Sequence, residues 1–438
     1  VKRDALKQLI QWSQKDRHKP LILQGARQVG KTWLLREFGR LNFKNVAYCN
    51  FERDQGLGEL FERSLSPHKI IPLLGAFLGI EISPSNTLII FDEIQECGAA
   101  LTSLKYFFED APEYFVAAAG SLLGVTLAKS SSFPVGSVEF LDLYPLSFAE
   151  FVSANNKEQI LQQLQQYDLT NPIPTLLSNE LLELLAVYQV VGGMPEAIDR
   201  FLVTRSYEVV RTIQDSILKS YVNDFAKHAP RNLVGKILSV WEVVPTILGR
   251  ENKKFNYSVI KSGARASEYE EAITWLVQAQ VLRKVRRVTS PALPIRERVD
   301  SSSFKLYLND VGLLSSLMGV SSSLIVSPEK LLGEYSGAIA ECFVAEELAA
   351  MGCESLYYWT STGEAEVDFI VDAHSESIAI EVKAGSHLRS KSLTVFVEKY
   401  KALRVLRFSL QNLNKAGAIE NYPLYAIRLA SGVLGRKV

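Results

Sequence analysis

Residues Gly25–Thr32 read GARQVGKT and follow directly on the apolar run PLILQ, Pro20–Gln24. The octet fits the phosphate-binding loop pattern G-x-x-x-x-G-K-[ST]. Glycine at both ends lets the backbone of Gly25, Ala26, Arg27, Gln28, Val29 and Gly30 curl its N–H groups around phosphate oxygens. The helix that starts near Gly30 aims its positive end at the same anion. Lys31 is expected to reach the β- and γ-phosphates of ATP, and Thr32 to place its hydroxyl on Mg²⁺. An apolar strand running into such a loop and then into a helix decides the fold class of the first part of the chain.

Outward from this loop the pattern repeats. Asn45–Phe51, Thr87–Phe91, Tyr114–Ala118 and Val138–Leu143 are further apolar runs with helical stretches between them. Continuous rather than alternating apolarity suits strands buried on both faces of a parallel sheet. The first 150 or so residues therefore predict an α/β doubly wound unit. Leu88–Glu93, LIIFDE, ends its strand in two acids. Asp92 is placed to hold Mg²⁺ through water, and Glu93 to orient or deprotonate the water that attacks the γ-phosphate. The run YFVAAAGS ends at Ser121, a polar residue in position to read the γ-phosphate.

The chain has 438 residues, 47% hydrophobic and 22% charged, which excludes a disordered or collagen-like chain and a small disulfide scaffold. No apolar stretch is long enough to predict a membrane span. The four cysteines, Cys49, Cys97, Cys342 and Cys353, are far apart with no C-x-x-C pair, so no zinc site is expected and a cytoplasmic location is the default. The 48 Lys and Arg balance the 48 Asp and Glu, which argues against coating nucleic acid by bulk charge. That zero is partly a cancellation. Gly136–Arg200 holds nine acidic and two basic side chains, whereas Arg250–Arg298 holds eleven basic and five acidic.

Taken together, several strings resemble one family, the bacterial and archaeal AAA-type ATP-binding proteins with a C-terminal domain of unknown function. They are GARQVGKT, DEIQ (Asp92–Gln95), AAGS (Ala118–Ser121), LYPLSFAEF (Leu143–Phe151), GGMPEAI (Gly192–Ile198), ENKKFNYSVIKSGARASEYE (Glu251–Glu270), KLYLNDVGLL (Lys305–Leu314) and EVDFIV…IEVKAG (Glu366–Gly385). Many relatives carry Gly-Arg before the PLSF segment, whereas here Ser137 follows Gly136. GGMPEAI also looks like a motif in which a lid proline packs on adenine, which would give Pro195 that role; the same residues equally suit a helix start with Pro in its first turn. Many AAA relatives act as rings, so the resemblance allows a homo-oligomer. Arg27, Arg200 and Arg250 are all open as an arginine finger.

The middle of the chain is basic. Helices over Ile237–Leu248, near Tyr257–Lys261, and from a capping box at Ser267–Glu270 precede a hairpin of Leu282–Val288 and Lys305–Leu308. Three helices and a hairpin describe a winged helix, often a DNA-binding module. The expected wing carries Arg283, Lys284, Arg286 and Arg287, whereas the expected recognition helix opens with Glu268, Glu270 and Glu271. Two uses of the basic segment stay open: contact with DNA, or docking on the acidic segment of the same chain.

Further on, Glu366–Asp372 and Ile378–Lys383 read as adjacent strands, with Glu381 and Lys383 on one face and Asp368 on the preceding strand. This resembles the D…ExK core of the PD-(D/E)xK nucleases, in which Asp368 and Glu381 would ligate Mg²⁺ and Lys383 would stand near the attacking water. Glu341, upstream on an expected helix, would add a further acid. E-x-K alone says little, since Glu251–Lys253 is another such triplet, and an Asp368–Lys383 cross-strand ion pair is the plain structural alternative. The expected organisation is a P-loop ATPase core over 1–155, a helical lid over 156–228, a winged helix over 229–312 and a nuclease-like α/β domain over 325–438. The expected activity is ATP hydrolysis that controls a DNA-directed, Mg²⁺-dependent nuclease-like C-terminal domain, the alternative being an ATP-driven switch or scaffold that binds DNA or a protein partner through an inactive nuclease fold.

Overall fold

The computed structural model describes residues 1–120, 136–320, 336–373, 376–384 and 391–436. They fall into two compact units: an N-terminal unit of Lys2–Tyr144 with Gln278–Gln280, and a C-terminal unit holding Pro145–Val277 and Val281 onward.

In the N-terminal unit the apolar runs become five strands: β1 (Leu21–Gln24), β2 (Asn45–Asn50), β3 (Thr87–Asp92), β4 (Phe115–Ala119) and β5 (Glu139–Asp142). All pair in parallel, in the order β2-β3-β4-β1-β5. Every residue of β3 is buried, as expected of a strand covered on both faces. Helices α1 (Ala5–Ser13), α2 (Lys31–Asn42), α3 (Gln55–Arg63), α4 (Pro67–Leu78) and α5 (Gly98–Asp110) cover the sheet. Ile22, Ala47, Ile89, Phe91, Val116, Phe61, Leu74 and Leu104 interlock in one core. This is the α/β doubly wound sheet of P-loop NTPases. Strand β4 lies between the loop-bearing β1 and the acidic β3, so the C-terminal ends of all three converge.

The C-terminal unit opens with helices, among them Phe148–Ala154, Thr175–Val191, Pro195–Thr204, Tyr207–His228 and Arg231–Leu248. Its eight strands are β6 (Leu282–Val288), β7 (Val299–Leu308), β8 (Tyr357–Thr360), β9 (Glu366–Ala373), β10 (Glu376–Lys383), β11 (Val405–Ser409), β12 (Asn414–Ala416) and β13 (Ile419–Pro423). They form one mixed sheet in the order β12-β13-β11-β10-β9-β8-β6-β7. The β6–β7 hairpin expected as a wing is thus built into the same sheet as the D…ExK strands: β6 pairs with β8 over Arg286–Val288. Two strands follow β11 where the sequence showed none, because β12 is exposed and polar and β13 reads IENYP. The helix expected to start in a Ser267 cap begins at Ala266, leaving Ser267 in its first turn.

The family strings meet inside this unit. A Cβ on Gly193 would lie 2.2 Å from the Leu146 carbonyl oxygen, and one on Gly192 would lie 2.4 Å from Asp310 Oδ1. Leu146 N–H donates to Gly193 O at 2.7 Å, and Gly193 N–H donates to Asp310 Oδ2 at 2.6 Å. Asp310 also caps the helix Val311–Leu317 through Leu313 N–H at 2.7 Å. Behind it runs the helix Ser336–Ala350, which is buried and yet carries Glu341, Glu346 and Glu347. Glu346 accepts from Tyr188 Oη at 2.9 Å and Val311 N–H at 3.1 Å; Glu347 accepts from Phe148 N–H at 2.7 Å. Burial pushes Asp310 up to about 6, against its backbone donors, and pushes Glu346 well above the usual carboxylate range. Among the described residues no helix is long and apolar enough to cross a membrane.

Candidate functional site

The phosphate-binding loop is shaped by steric need. A Cβ on Gly25 would meet the Leu143 carbonyl oxygen at 2.4 Å, so only glycine fits beside β5. Gln28 and Gly30 hold φ of 68° and 93°, which curls successive N–H groups towards one side before α2 begins at Lys31. Arg3, buried, braces the loop by donating to Val29 O at 3.0 Å and to Tyr144 O at 2.5 Å. Lys31 is buried and donates to Gly25 O and Ala26 O, both at 2.8 Å, which holds its ammonium inside the loop curve. Burial pulls it down to about 8, although Glu93 and Asp92 pull the other way. Bound phosphates would stabilise the charged form further.

Loop and acidic strand meet in one contact. Thr32 Oγ1 lies 3.0 Å and 3.2 Å from the Asp92 carboxylate oxygens. Tyr48 Oη donates to Asp92 Oδ2 at 2.6 Å, and Asn50 Nδ2 reaches the same oxygen at 3.5 Å. Burial raises Asp92 despite these donors. Burial and the Asp92 hydrogen bond push Tyr48 up to about 12, so it stays a donor. A hydroxyl and a carboxylate at this spacing are hard oxygen donors that fit Mg²⁺. Glu93, next along, has φ 50° and ψ 43°, a left-handed backbone uncommon for a side-chain-bearing residue, and accepts from Gln95 Nε2 at 2.6 Å. A cavity of about 650 Å³ flanks Thr32 and Tyr48, with the Arg36 guanidinium 4.9 Å over the Tyr48 ring. Ser121 lies outside the described residues. Pro195, in the C-terminal unit, opens the helix Pro195–Thr204 in its first turn.

Tyr48, Asn50, Arg3 and Gln95 were not read from the sequence as site residues. A signal existed for two of them. Tyr48 and Asn50 are polar at alternate positions in the second half of β2, and period two points both to the same side.

The second constellation is assembled differently from the D…ExK expectation. Lys383 Nζ pairs with Glu381 Oε1 at 3.2 Å, and Asp368 Oδ2 accepts Val382 N–H at 2.8 Å. Glu341 and Asp368 do come together, but around Lys305 of β7. Lys305 Nζ lies 2.5 Å from Glu366 Oε1, 3.7 Å from Glu341 Oε2 and 3.8 Å from Asp368 Oδ1. Lys253, from the triplet that carried no weight in the sequence, pairs with Glu341 Oε1 at 2.6 Å, and Tyr307 Oη donates to Glu341 Oε2 at 2.7 Å. Burial favours a neutral Glu341, but Lys305 and Lys253 outweigh it and hold the carboxyl below its usual value. Burial and the neighbouring Glu341 push Asp368 up to about 7. Among the described residues no three His, Cys, Asp or Glu side chains group so as to hold a metal ion. Glu341, Asp368 and Glu381, expected as ligands of one Mg²⁺, are therefore not gathered as such: an ammonium stands between the first two, and Glu381 faces its own lysine. These residues do not fit a divalent metal.

Residues 17–152 match a family model described as an AAA domain. Residues 182–324 and 336–427 match two models of domains of unknown function, DUF8612 and DUF4143. An uncharacterized Mycobacterium tuberculosis protein, Rv2008c, is 28% identical over 199 residues, which covers 44% of this chain and spans 42% of that relative's length. Among solved structures, the Walker-type ATPase PABY2304 of Pyrococcus abyssi covers 72% of this chain and 95% of its own, at 14% identity and a TM-score of 0.45. The Aeropyrum pernix ORC1 protein, solved in complex with DNA, covers 73% and 93%, at 14% identity and a TM-score of 0.31. The loop at Gly25–Thr32, its contact with Asp92 and the matched family model agree: residues 17–152 form an AAA domain with a phosphate-binding loop.

Proposed function

We propose that this chain is an ATP-hydrolysing switch whose nucleotide state controls a DNA-directed C-terminal unit of nuclease-like fold. The observation that carries the ATPase half is the Thr32–Asp92 contact, which brings loop and acidic strand to one point. In this reading the backbone N–H groups of Gly25–Gly30 and the Lys31 ammonium hold the phosphates. Thr32 and Asp92 hold Mg²⁺, which when bound screens charge on the phosphate oxygens. Glu93, steered by Gln95, orients the attacking water and receives its proton as the bond from the γ-phosphorus to ADP breaks. Ser121 reads the γ-phosphate.

ATP turnover tests this half. Lys31→Ala should abolish nucleotide binding. Glu93→Gln should bind ATP normally and hydrolyse it at least ~100-fold more slowly, in the range of losses for removing a general base. Full-rate hydrolysis by Glu93→Gln would exclude the assigned role.

The DNA half rests on the basic Arg250–Arg298 segment, on helices followed by the β6–β7 hairpin in winged-helix order, and on Arg286, which is exposed on β6. Arg287 is committed to Asp300 at 2.6 Å, and Lys284 lies 4.2 Å over the Phe304 ring, so Arg286 is the wing residue best placed for phosphate. Affinity for duplex DNA measured against salt, with and without ATP, is the test. Arg286→Ala should flatten the log–log salt slope by about 0.9 if that side chain contacts one phosphate. An affinity indifferent to salt and nucleotide would point to a protein partner.

For the C-terminal unit the binding-module reading is favoured by Lys305, which stands among the acids that cleavage would need. Cleavage is favoured only by the Glu381–Lys383 pair on β10. Incubation of DNA with the protein and Mg²⁺ or Mn²⁺, against Asp368→Ala and Lys383→Ala, separates the two.

A further inference from the structure

A lysine stands in the C-terminal unit where a nuclease-like fold would need a metal ion. Lys305 is fully buried on β7, and its ammonium lies within 4 Å of carboxylates from two other elements: Glu341 on the helix Ser336–Ala350, and Glu366 and Asp368 on β9. A lone buried ammonium would be expelled or neutralised. Surrounded by three acids it is retained, as a cation held by charge.

Both oxygens of Glu341 and both of Asp368 are already engaged. Glu341 Oε1 receives Lys253 at 2.6 Å, and its Oε2 receives Tyr307 Oη at 2.7 Å. Asp368 Oδ2 receives the Val382 N–H at 2.8 Å, and its Oδ1 faces Lys305. Mg²⁺ requires near-octahedral oxygens at about 2.0–2.1 Å, which cannot be met without evicting the ammonium. Charge agrees with geometry. Lys253 and Lys305 offset two of the three carboxylates, so a divalent ion added to both lysines would leave the cluster net positive. The Tyr358 ring closes the remaining side, its centroid 5.1 Å from Lys305 Nζ.

We propose that the Lys305 ammonium is the resident cation of this cluster, in place of a divalent metal, so that the C-terminal unit folds and works with no metal ion at Glu341, Glu366 and Asp368. The inference rests on the nuclease-like reading of this unit and explains how such a fold keeps its acidic centre intact while giving up the metal.

Mn²⁺ binding to the full chain, read by electron paramagnetic resonance, tests it. All arms carry Asp92→Asn so that the P-loop carboxylate does not contribute. With Lys305 intact, millimolar Mn²⁺ should leave no bound signal in the C-terminal unit. Lys305→Met should gain one equivalent of Mn²⁺, and adding Asp368→Asn should remove it. Bound Mn²⁺ that requires Asp368 while Lys305 is present overturns the proposal. So does a folded Lys305→Met protein that takes up none. If Lys305→Met does not fold, the thermal transition of the Asp92→Asn chain with Lys305 intact decides. Equal midpoints in EDTA and in Mn²⁺ support the resident lysine, whereas a Mn²⁺-dependent rise that vanishes with Asp368→Asn overturns it. Loss of ATP-dependent DNA binding would sink the switch reading and leave these outcomes unchanged.

Discussion

Gly193→Ala isolates what the GGMP string does. Gly193 lies outside the left-handed region, so alanine brings no backbone strain of its own; the effect is steric. The added methyl would sit 2.2 Å from Leu146 O, 2.8 Å from Leu146 N and 2.9 Å from Pro145 Cβ. Two of these are backbone atoms with no rotamer to yield, so the 145–146 segment must move away. That movement stretches the hydrogen bonds Leu146 N–H to Gly193 O, 2.7 Å, and Gly193 N–H to Asp310, 2.6 Å, both in buried surroundings. Each bond left unmade costs about 1–3 kcal/mol, and overpacking adds roughly 1–3 more, so the lower bound is about 3 kcal/mol. At about 2 °C per kcal/mol for a unit of this size, the C-terminal transition should fall by roughly 6 °C or more. The assay is differential scanning calorimetry of the full chain, with Gly235→Ala as the control. Gly235 is exposed inside the helix Arg231–Leu248, a Cβ there meets nothing within 4 Å, and alanine should stabilise by about 0.5–1 kcal/mol. A Gly193→Ala transition within a degree of the unsubstituted chain would show that the close approach of the strings is not what holds this unit.

Two further outcomes follow from the same geometry. Tyr48→Phe deletes the donor 2.6 Å from Asp92; a hydrogen bond to a charged group contributes about 1.5–3 kcal/mol, so ATP hydrolysis should need more Mg²⁺ or slow by roughly 10-fold or more, and an unchanged Mg²⁺ titration would refute a positioning role. Asp310, pushed up to about 6, binds a proton in the folded state that it releases when unfolded at mildly acidic pH, so its contribution is fully present below about 3.8 and is lost as pH rises through about 6. The stability advantage of the unsubstituted chain over Asp310→Asn should therefore shrink by up to roughly 3 kcal/mol between pH 4 and pH 7, and a gap constant across urea melts at those pH values would contradict the burial argument.

The parallel sheet was legible because buried parallel strands leave unbroken apolar runs and because the phosphate loop follows one of them directly. The Lys31, Thr32 and Asp92 cluster was legible for a related reason: each lies at a strand end or helix start that local pattern marks. What was not legible depends on contacts between distant segments. Lys305 sits in KLYL, where composition suggests a solvated lysine; its burial is decided by Glu341, Glu366 and Asp368, which come from elsewhere in the chain. Lys253 lies in a polar stretch that gives no hint of its partner. The S-x-x-E pattern occurs at both Ser147 and Ser267, yet only Ser147 with Glu150 forms the reciprocal cap; at Ser267 the helix starts a residue earlier and the serine is exposed. Short motifs propose starts, and packing chooses among them.

The backbone of Glu93 has a consequence for how this chain can change. A side chain held at φ 50° stores about 1 kcal/mol or more that glycine would not. On the proposed role of Glu93, random variation filtered only for thermal resistance should therefore accept glycine at position 93 and return a sturdier protein that no longer hydrolyses ATP. A costly conformation kept at the tip of β3 marks a point where durability and chemistry pull against each other, and heat-selected libraries of this chain will need an activity screen beside the thermal one.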